Sequence, residues 1–519
     1  MALETIAGEA AIEYGLERFL LALTVALSVA TLPQVFSWFR QLPYTLLLVI
    51  AGLGLAFFNV RLFTLSPELT LSIFLPPLLF EAAWNVRWSS FRKDWVPIAL
   101  YAVVGVMISI VGIALGLNEF AGVPLVVALL IGSSLATTDP VSVIAMFREL
   151  GVDERTKTLM EGESLFNDGV SVVTLGLLLS LPLELQAFDL QGSLADFLSY
   201  TGIGVAVGCL IGFGVSFLTQ RLDQPLLEQS LTMVAAYGSY LLSEQLGGSG
   251  VIAVVPVGLI LGNFGSRIGM NPRTRVIVTE FWEFLAFFVN SVVFLLIGDQ
   301  VSFANLWENR WAIAVAIAAM LVARAVATFG LGFLSNRLAG SNLNWRVLTV
   351  LWWGGIRGSV SIALALSIPT VLAQRNLITA TVLGAVLFTL LVQGITMKPL
   401  LRCLGLLGDQ KLKQQYDEAI ARQTALKRVL QRLETLEQRQ SDQAEFLRSQ
   451  REQVEQKLAA VESDLRQLTS NHPQLQAYGL QTLQAELLAV ESDTYAELVK
   501  VGLLQKELSP LLRQTDTAH

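Results

Sequence analysis

Residues 133–146 read SSLATTDPVSVIAM, within an apolar segment that runs from about residue 124 to residue 147. Asp followed by Pro is a helix-start signal, with Asp139 as N-cap and Pro140 at the first helical position. Here the signal falls about two-thirds of the way along a stretch long enough to cross a bilayer. The reading is a helix that stops and restarts inside the membrane. Backbone groups freed at such a break need protein or water as partners. The N-terminus of the second half-helix, with the oxygens of Thr138 and Asp139, makes a place where an ion can be handled. The competing reading is that Asp139 only caps a kink, but an ionised cap at that depth is costly unless water reaches it.

The rest of the chain supplies the setting for that break. Of 519 residues, 53% are hydrophobic and 15% charged, against roughly 25% charged in soluble domains. Thirteen segments qualify as spans: 14–32, 43–58, 69–84, 95–117, 124–147, 163–181, 194–220, 226–246, 250–264, 277–298, 310–335, 346–368 and 377–400. Alternate loops differ in charge. One set carries Arg40, Arg87, Arg92, Lys93, Arg148, Arg155, Lys157, Arg221, Arg267, Arg273, Arg275, Arg337, Arg346, Lys398 and Arg402. The other carries Arg61, Arg310 and Arg375 among acids such as Glu119, Glu184 and Asp299. Positive loops face the cytoplasm, which puts the N-terminus outside and the C-terminus inside. The opening MALETIAGEAAIEYG lacks a basic n-region, so the first apolar run is expected to be a retained helix. The only histidines are His472 and His519, which excludes a histidine relay within the spans. Cys209 and Cys403 both lie in apolar segments, which argues against a disulfide.

A second unusual stretch is GESLFNDGVSVV at 162–173, at the cytoplasmic start of span six. It puts Glu163, Ser164, Asn167 and Asp168 where ionisable groups cost several kcal/mol. By the span limits above, Asp168 lies just over one turn inside the membrane, at a depth comparable to Asp139. A first-turn acid favoured by the helix dipole is the alternative, but it leaves Glu163, Ser164 and Asn167 unexplained. Glu81, in LSIFLPPLLFEAAWN, lies at a similar depth in span three and either joins the site or sits at the interface.

Two arginines need partners. Arg324 is deep within AIAAMLVARAVATFG, and Arg357 lies in the glycine-broken WWGGIRGSVSIALAL. Glu163 is the best carboxylate for one of them, with Arg324 first and Arg357 as alternative. The other possibility is that each arginine binds carbonyls at its own helix break. The GGIRG break is in span twelve, seven spans after the TDP break in span five. That odd offset gives the two breaks opposite orientation, which points to inverted repeats with a site at the crossing.

From about residue 409 the composition changes to Gln, Glu, Arg and Leu. Leu447, Val454, Val461 and Leu468 recur every seven residues, with Leu458 and Leu465 between them, a coiled-coil-like stripe. SNHPQ at 470–474 interrupts it, and a further amphipathic stretch runs from about 478 to 508. The expected division is an external segment 1–13, a membrane domain 14–408 and a cytosolic helical tail 409–519 that packs on itself or on a partner. The fold class is all-α and polytopic.

The stretches LPPLLFEAAW, TTDPVSV, GESLFNDGVSVV and WGGIRGSVSIALAL resemble those of NhaP-type sodium/proton antiporters of the cation:proton antiporter-1 family. The resemblance covers about residues 14–405 and does not reach the tail. It implies a thirteen-helix homodimer in a bacterial-type cell membrane, with a mobile six-helix bundle working against a dimerisation domain. It implies that Asp168 binds cation or proton, that Asn167 supports the site, and that Asp139 and Thr138 form the unwound crossing. Ser164 would add an oxygen to the cation, Glu81 would be the acid of span three, and Glu163 with Arg324 would be a structural ion pair. Asn167, where electrogenic relatives carry a second aspartate, implies electroneutral one-for-one exchange.

The chemistry of the residues agrees with that picture. A hard monovalent cation takes oxygen ligands, and Asp168, Ser164, the Thr138 region and water supply them. One carboxylate holds a proton or a cation in turn, so exchange needs no cofactor and no ATP. No G-x-x-x-x-G-K-[ST] motif is present. Potassium or lithium in place of sodium, a cation channel with a regulatory tail, and a receptor or scaffold are the competing readings. The last leaves the intramembrane acids without a role.

Overall fold

The computed structural model describes residues 2–36, 44–58, 62, 70–180, 190–222, 224–369, 371–406, 410–437 and 444–472, with scattered positions between 475 and 503. No strand occurs among the described residues. The helices are α1 (Ala2–Val35), α2 (Tyr44–Phe57), α3 (Thr70–Phe74, a π-turn, continued by Leu75–Asn85), α4 (Trp88–Lys93), α5 (Trp95–Ala121), α6 (Leu125–Ala136), α7 (Val141–Leu150) and α8 (Glu154–Ser180). Then come α9 (Leu190–Thr219), α10 (Pro225–Gln245), α11 (Gly250–Ile260, continued by Leu261–Gly269), α12 (Pro272–Asp299), α13 (Phe303–Glu308) and α14 (Arg310–Ala339). The remainder are α15 (Trp345–Trp353), α16 (Ser359–Ser367), α17 (Arg375–Cys403), α18 (Gln410–Glu437) and α19 (Ala444–Asn471).

Each apolar segment of the sequence coincides with a helix or with a pair of half-helices. Among the described residues, five helices are long and apolar enough to cross a membrane by length and composition: α5, α14, α17, Leu194–Thr219 within α9, and Arg273–Asp299 within α12. Interrupted segments fall short because each half is brief, α6 having 12 residues and α16 having 9. Outward-facing apolar side chains such as Leu210, Phe213 and Val234 are more than half exposed. A water-facing surface would not carry them in such numbers, and the chain is a multi-pass membrane protein.

Small residues set how closely the helices approach. A Cβ on Gly52 would meet the carbonyl of Leu295, and one on Gly298 the carbonyl of Val49, so α2 and α12 touch backbone to backbone. Between α5 and α14, a Cβ on Gly112 or Gly116 would come within 2.6 Å of Ala323 or Ala319. Such small-residue seams replace the hydrophobic driving force that lipid does not provide. Two groups of helices result: α5, α6 and α8 pack with α14–α17, and α1–α3 pack with α9–α12, while α8 and α16 also touch the second group.

One boundary differs from the sequence reading. α8 begins at Glu154 rather than at residue 163, so Asp168 is about four turns into the helix, not just over one. The added turns are charged, and a hydropathy rule passes over them. They are fixed from outside the apolar run: Asp153 Oδ2 accepts from Arg155 N at 3.1 Å, and Arg87 pairs with Glu154 at 2.9 Å. The Arg155 guanidinium grips Asp94 through Nη2–Oδ1 at 2.6 Å and Nε–Oδ2 at 3.0 Å, and donates to Ser341 O at 2.6 Å. That bonding to Asp94 raises the Arg155 pKa above its ordinary value. With the first turn at Glu154, a first-turn dipole role for Asp168 no longer applies.

By contacts the chain divides into two compact units, Met1–Arg148 with Val152–Leu406, and Leu407–His519 with Glu149–Gly151. Within the second unit α18 and α19 pack on each other. Glu462 on α19 accepts from Gln423 at 3.0 Å and pairs with Lys427 at 3.5 Å, and the Gln423 bond holds its carboxyl below the usual range. Leu447 is buried, and Val454, Leu458, Val461, Leu465 and Leu468 are half-buried. The amphipathic stretch expected at 478–508 lies largely outside the described residues.

Candidate ion-binding site

The two broken helices meet at their breaks. α6 ends at Ala136, Thr137 turns extended (ψ 145°), and helix resumes at Val141, whose N–H donates to Asp139 Oδ1 at 2.9 Å. α15 ends at Trp353, and Gly354–Gly358 lead to α16. Asp139 N donates to Ile356 O at 2.8 Å, and the hydroxyls of Thr137 and Ser361 are 2.6 Å apart. Gly358 is required here, since a Cβ would strike the Asp139 carboxylate.

Each break leaves a C-terminal half-helix end with unpaired carbonyls and a negative partial charge. An arginine meets each one. Arg357, fully buried, donates through Nη1 to the carbonyls of Ala136 and Thr137 at 3.0 and 2.7 Å, and its backbone N–H donates to Thr389 Oγ1 at 3.1 Å. Arg324 donates to Leu351 O and Trp352 O at 3.0 and 3.2 Å. It also holds Glu163, through Nη1–Oε1 at 2.9 Å and Nη2–Oε2 at 3.3 Å, with both side chains buried. Arg357 therefore serves the opposite break rather than its own, and Glu163 goes to Arg324.

α8 passes against this crossing and clamps it. Asn167 Nδ2 donates to Thr138 Oγ1 at 2.6 Å, and the Ser164 hydroxyl donates to the Thr138 carbonyl. One turn further, Asp168 is 8% exposed, and its Oδ1 is enclosed with no hydrogen-bond partner among the described residues. A cavity of about 80 Å³ adjoins it, lined by Glu81, Thr138, Asp139, Ser164, Asp168 and Asn290 among others. That is room for a few waters. All five residues read from the sequence as ion or proton ligands thus border one space. Glu81, half-buried, also accepts from Asn85 Nδ2 at 2.6 Å. Asn167, Glu163, Arg324 and Arg357 stand behind the lining, in the structure that shapes it.

Four polar lining residues were not singled out from the sequence: Glu161, Asn290, Ser359 and Thr137. Asn290 carried a signal, being a buried amide in the apolar run FFVNSVVFLL. Ser359 and Thr137 flank the two breaks and were hidden by the motifs beside them. What the lining offers chemically is the Asp168 carboxylate, with an oxygen that no described residue engages, the carboxylates of Glu81, Asp139 and Glu161, hydroxyls and an amide, a set suited to a hard cation or a proton.

Residues 23–403 match the family described as "Sodium/hydrogen exchanger, transmembrane". The chain is 55% identical over 515 residues to the Na(+)/H(+) antiporter ApNhaP of Aphanothece halophytica, covering 99% of each. It is 51% identical over 505 residues to the low-affinity Na(+)/H(+) antiporter NhaS1 of Synechocystis sp., covering 96% of each. Its fold is similar to that of the sodium proton antiporter MjNhaP1 from Methanocaldococcus jannaschii, with a TM-score of 0.63 at 21% identity, over 77% of this chain and 100% of that one. A crossing of two broken helices beside a buried carboxylate, together with these matches, means that the chain belongs to the sodium/hydrogen exchanger family of secondary transporters.

Proposed function

We propose that this protein exchanges sodium for protons across a bacterial-type cell membrane, one for one, with Asp168 binding the two in turn. The observation that carries the reading is the enclosed, unpartnered Oδ1 of Asp168 bordering a water-sized cavity beside Thr138, Ser164 and Asp139. A sodium ion arriving there meets carboxylate, hydroxyl and carbonyl oxygens in place of its water shell. Proton and cation need the same oxygens, so binding of one releases the other. Asn167 keeps its amide on Thr138, which leaves Asp168 as the group of the Asn-Asp pair that changes charge. Glu163 takes no part in that cycle because Arg324 occupies it. Reorientation follows alternating access, with the helix group holding the crossing rocking against the other around a fixed site. The reading includes thirteen spans, an external N-terminus, a cytosolic helical tail and a homodimer in the lipid bilayer.

Asp168→Asn, reconstituted in liposomes under an imposed pH gradient, is expected to reduce sodium-dependent proton release to background while the protein purifies normally. Wild-type flux in that variant overturns the assignment. Titrating the wild type with sodium, lithium and potassium identifies the cation: proton release with potassium alone replaces sodium by potassium. Cation current without proton counterflow replaces the antiporter by a channel.

A further inference from the structure

Three voids follow one face of α12, and α16 contributes to the wall of each. The first is the Asp168 cavity, to which α12 contributes Asn290 and α16 contributes Ser359 and Val360. The second is too small for a water molecule and is walled mostly by apolar side chains, Val293, Val360, Ala363, Phe74, Leu75 and Leu78, together with Thr70 and Ser359. The third, about 140 Å³, is lined by Ile297 and Gln300 beside Ile362, Ala365 and Arg375. Asn290, Val293, Ile297 and Gln300 follow one another at steps of three and four, so they share one face running out at the end of α12. The face has an amide at each end and two apolar side chains between.

The middle of this row has no room for a water molecule. Val293 and Ala363 are each 1% exposed and Val360 is 9% exposed. An apolar constriction of that kind stops ions and water by dewetting, without any charged plug. The far cavity is polar by contrast. Gln300 Nε2 is enclosed there with no hydrogen-bond partner among the described residues. The Arg375 guanidinium is turned to the end of α16, donating to Leu366 O at 3.1 Å and Ile368 O at 2.9 Å. Its charge is thereby matched to a half-helix C-terminus rather than standing against a passing cation.

We propose that this face of α12 lines the second exit of the transporter, leading from the Asp168 cavity to the Gln300 cavity, and that Val293, Val360 and Ala363 form the barrier closing it. The proposal rests on the antiporter reading above. α12 and α16 belong to different helix groups, so a rocking of one group on the other parts the barrier without unwinding either helix. Asn290 then faces the ion as it leaves the carboxylate, and Gln300 faces it beyond the barrier.

Thiol accessibility tests this in the full chain, with Cys209→Ser and Cys403→Ser as background. Asn290→Cys and Gln300→Cys are each placed in sealed vesicles and exposed to a membrane-impermeant maleimide from either face. On the face that reaches Gln300→Cys, labelling of Asn290→Cys is expected to be at least about tenfold slower, because the apolar barrier intervenes. Adding Val293→Ala and Val360→Ala is expected to bring the two rates to within about twofold. Equal rates with the barrier intact overturn the proposal, as does a gap that survives trimming. Should Asn290→Cys fail to fold, judged by size-exclusion profile, Ser359→Cys takes its place in the same cavity. The readout needs no sodium or proton gradient. A protein that carries a different cation would still show the barrier, and failure here would leave the Asp168 assignment standing.

Discussion

Glu163 and Asp168 are carboxylates on the same helix, yet they have opposite surroundings. Arg324 approaches Glu163 with two nitrogens, whereas Asp168 keeps an oxygen without a partner among the described residues. Removing one member of a buried pair leaves the other charged and alone, at a cost of about 3–5 kcal/mol. Glu163→Ala is therefore expected to lower yield and thermal stability sharply. The double variant Glu163→Leu with Arg324→Leu is expected to recover much of that loss, because no buried charge is left over. Thermal melts in detergent compare the two, and equal losses would count against a structural role for the pair. The pairing was legible in the sequence as a choice between Arg324 and Arg357, because a buried arginine needs an acid and Glu163 stood near enough to the motif. For Arg357, carbonyls at its own helix break were one of the readings, but the break it serves was not legible. Its partners are the carbonyls of Ala136 and Thr137 on the opposite break, and a carbonyl has no letter in the sequence to mark it.

The broken helices form because each break has its own chemistry at both ends. Asp139 and Pro140 restart α7, and the glycines around Ile356 and Arg357 let the second break pass close to the first. Gly358 is where the second break presses on the first. Gly358→Ala is expected to push against the Asp139 carboxylate and to cost about 1–3 kcal/mol, as overpacking does, with exchange falling more than stability. Flux and melting temperature measured on one preparation separate the two effects, and unchanged flux would mean the crossing has slack. Breaks could be read in the sequence because Asp-Pro and Gly-rich interruptions within apolar runs have few other uses. The start of α8 could not. Its first turns are charged, and besides the adjacent Asp153 they are held by Asp94 and Ser341, contacts that come from elsewhere in the chain. Asn290 was missed for a related reason. A single amide in a long apolar run acquires meaning only once the helix is set opposite Asp168.

At the scale of the molecule, small residues decide which parts can move. α2 and α12 meet through Gly52 and Gly298 with their backbones in contact. Gly298→Leu is expected to separate them, cost more than about 1–3 kcal/mol and impair exchange through lost stability rather than lost ion affinity. Apparent sodium affinity in the surviving fraction checks this, and a shifted affinity with normal stability would refute it. Composition, the recurring apolar runs and the alternating loop charge were enough to assign the all-helical membrane class from the sequence. The grouping of helices was less visible, since lipid-facing and protein-facing apolar residues look alike until they are packed. The glycine contact between α2 and α12 has a consequence for how the machine runs. Two main chains in direct touch leave no compressible side chains between them, so that wall is stiff. Under the exchange cycle proposed above, the travel is expected to fall on the arginine-buttressed crossing opposite, carried as one piece.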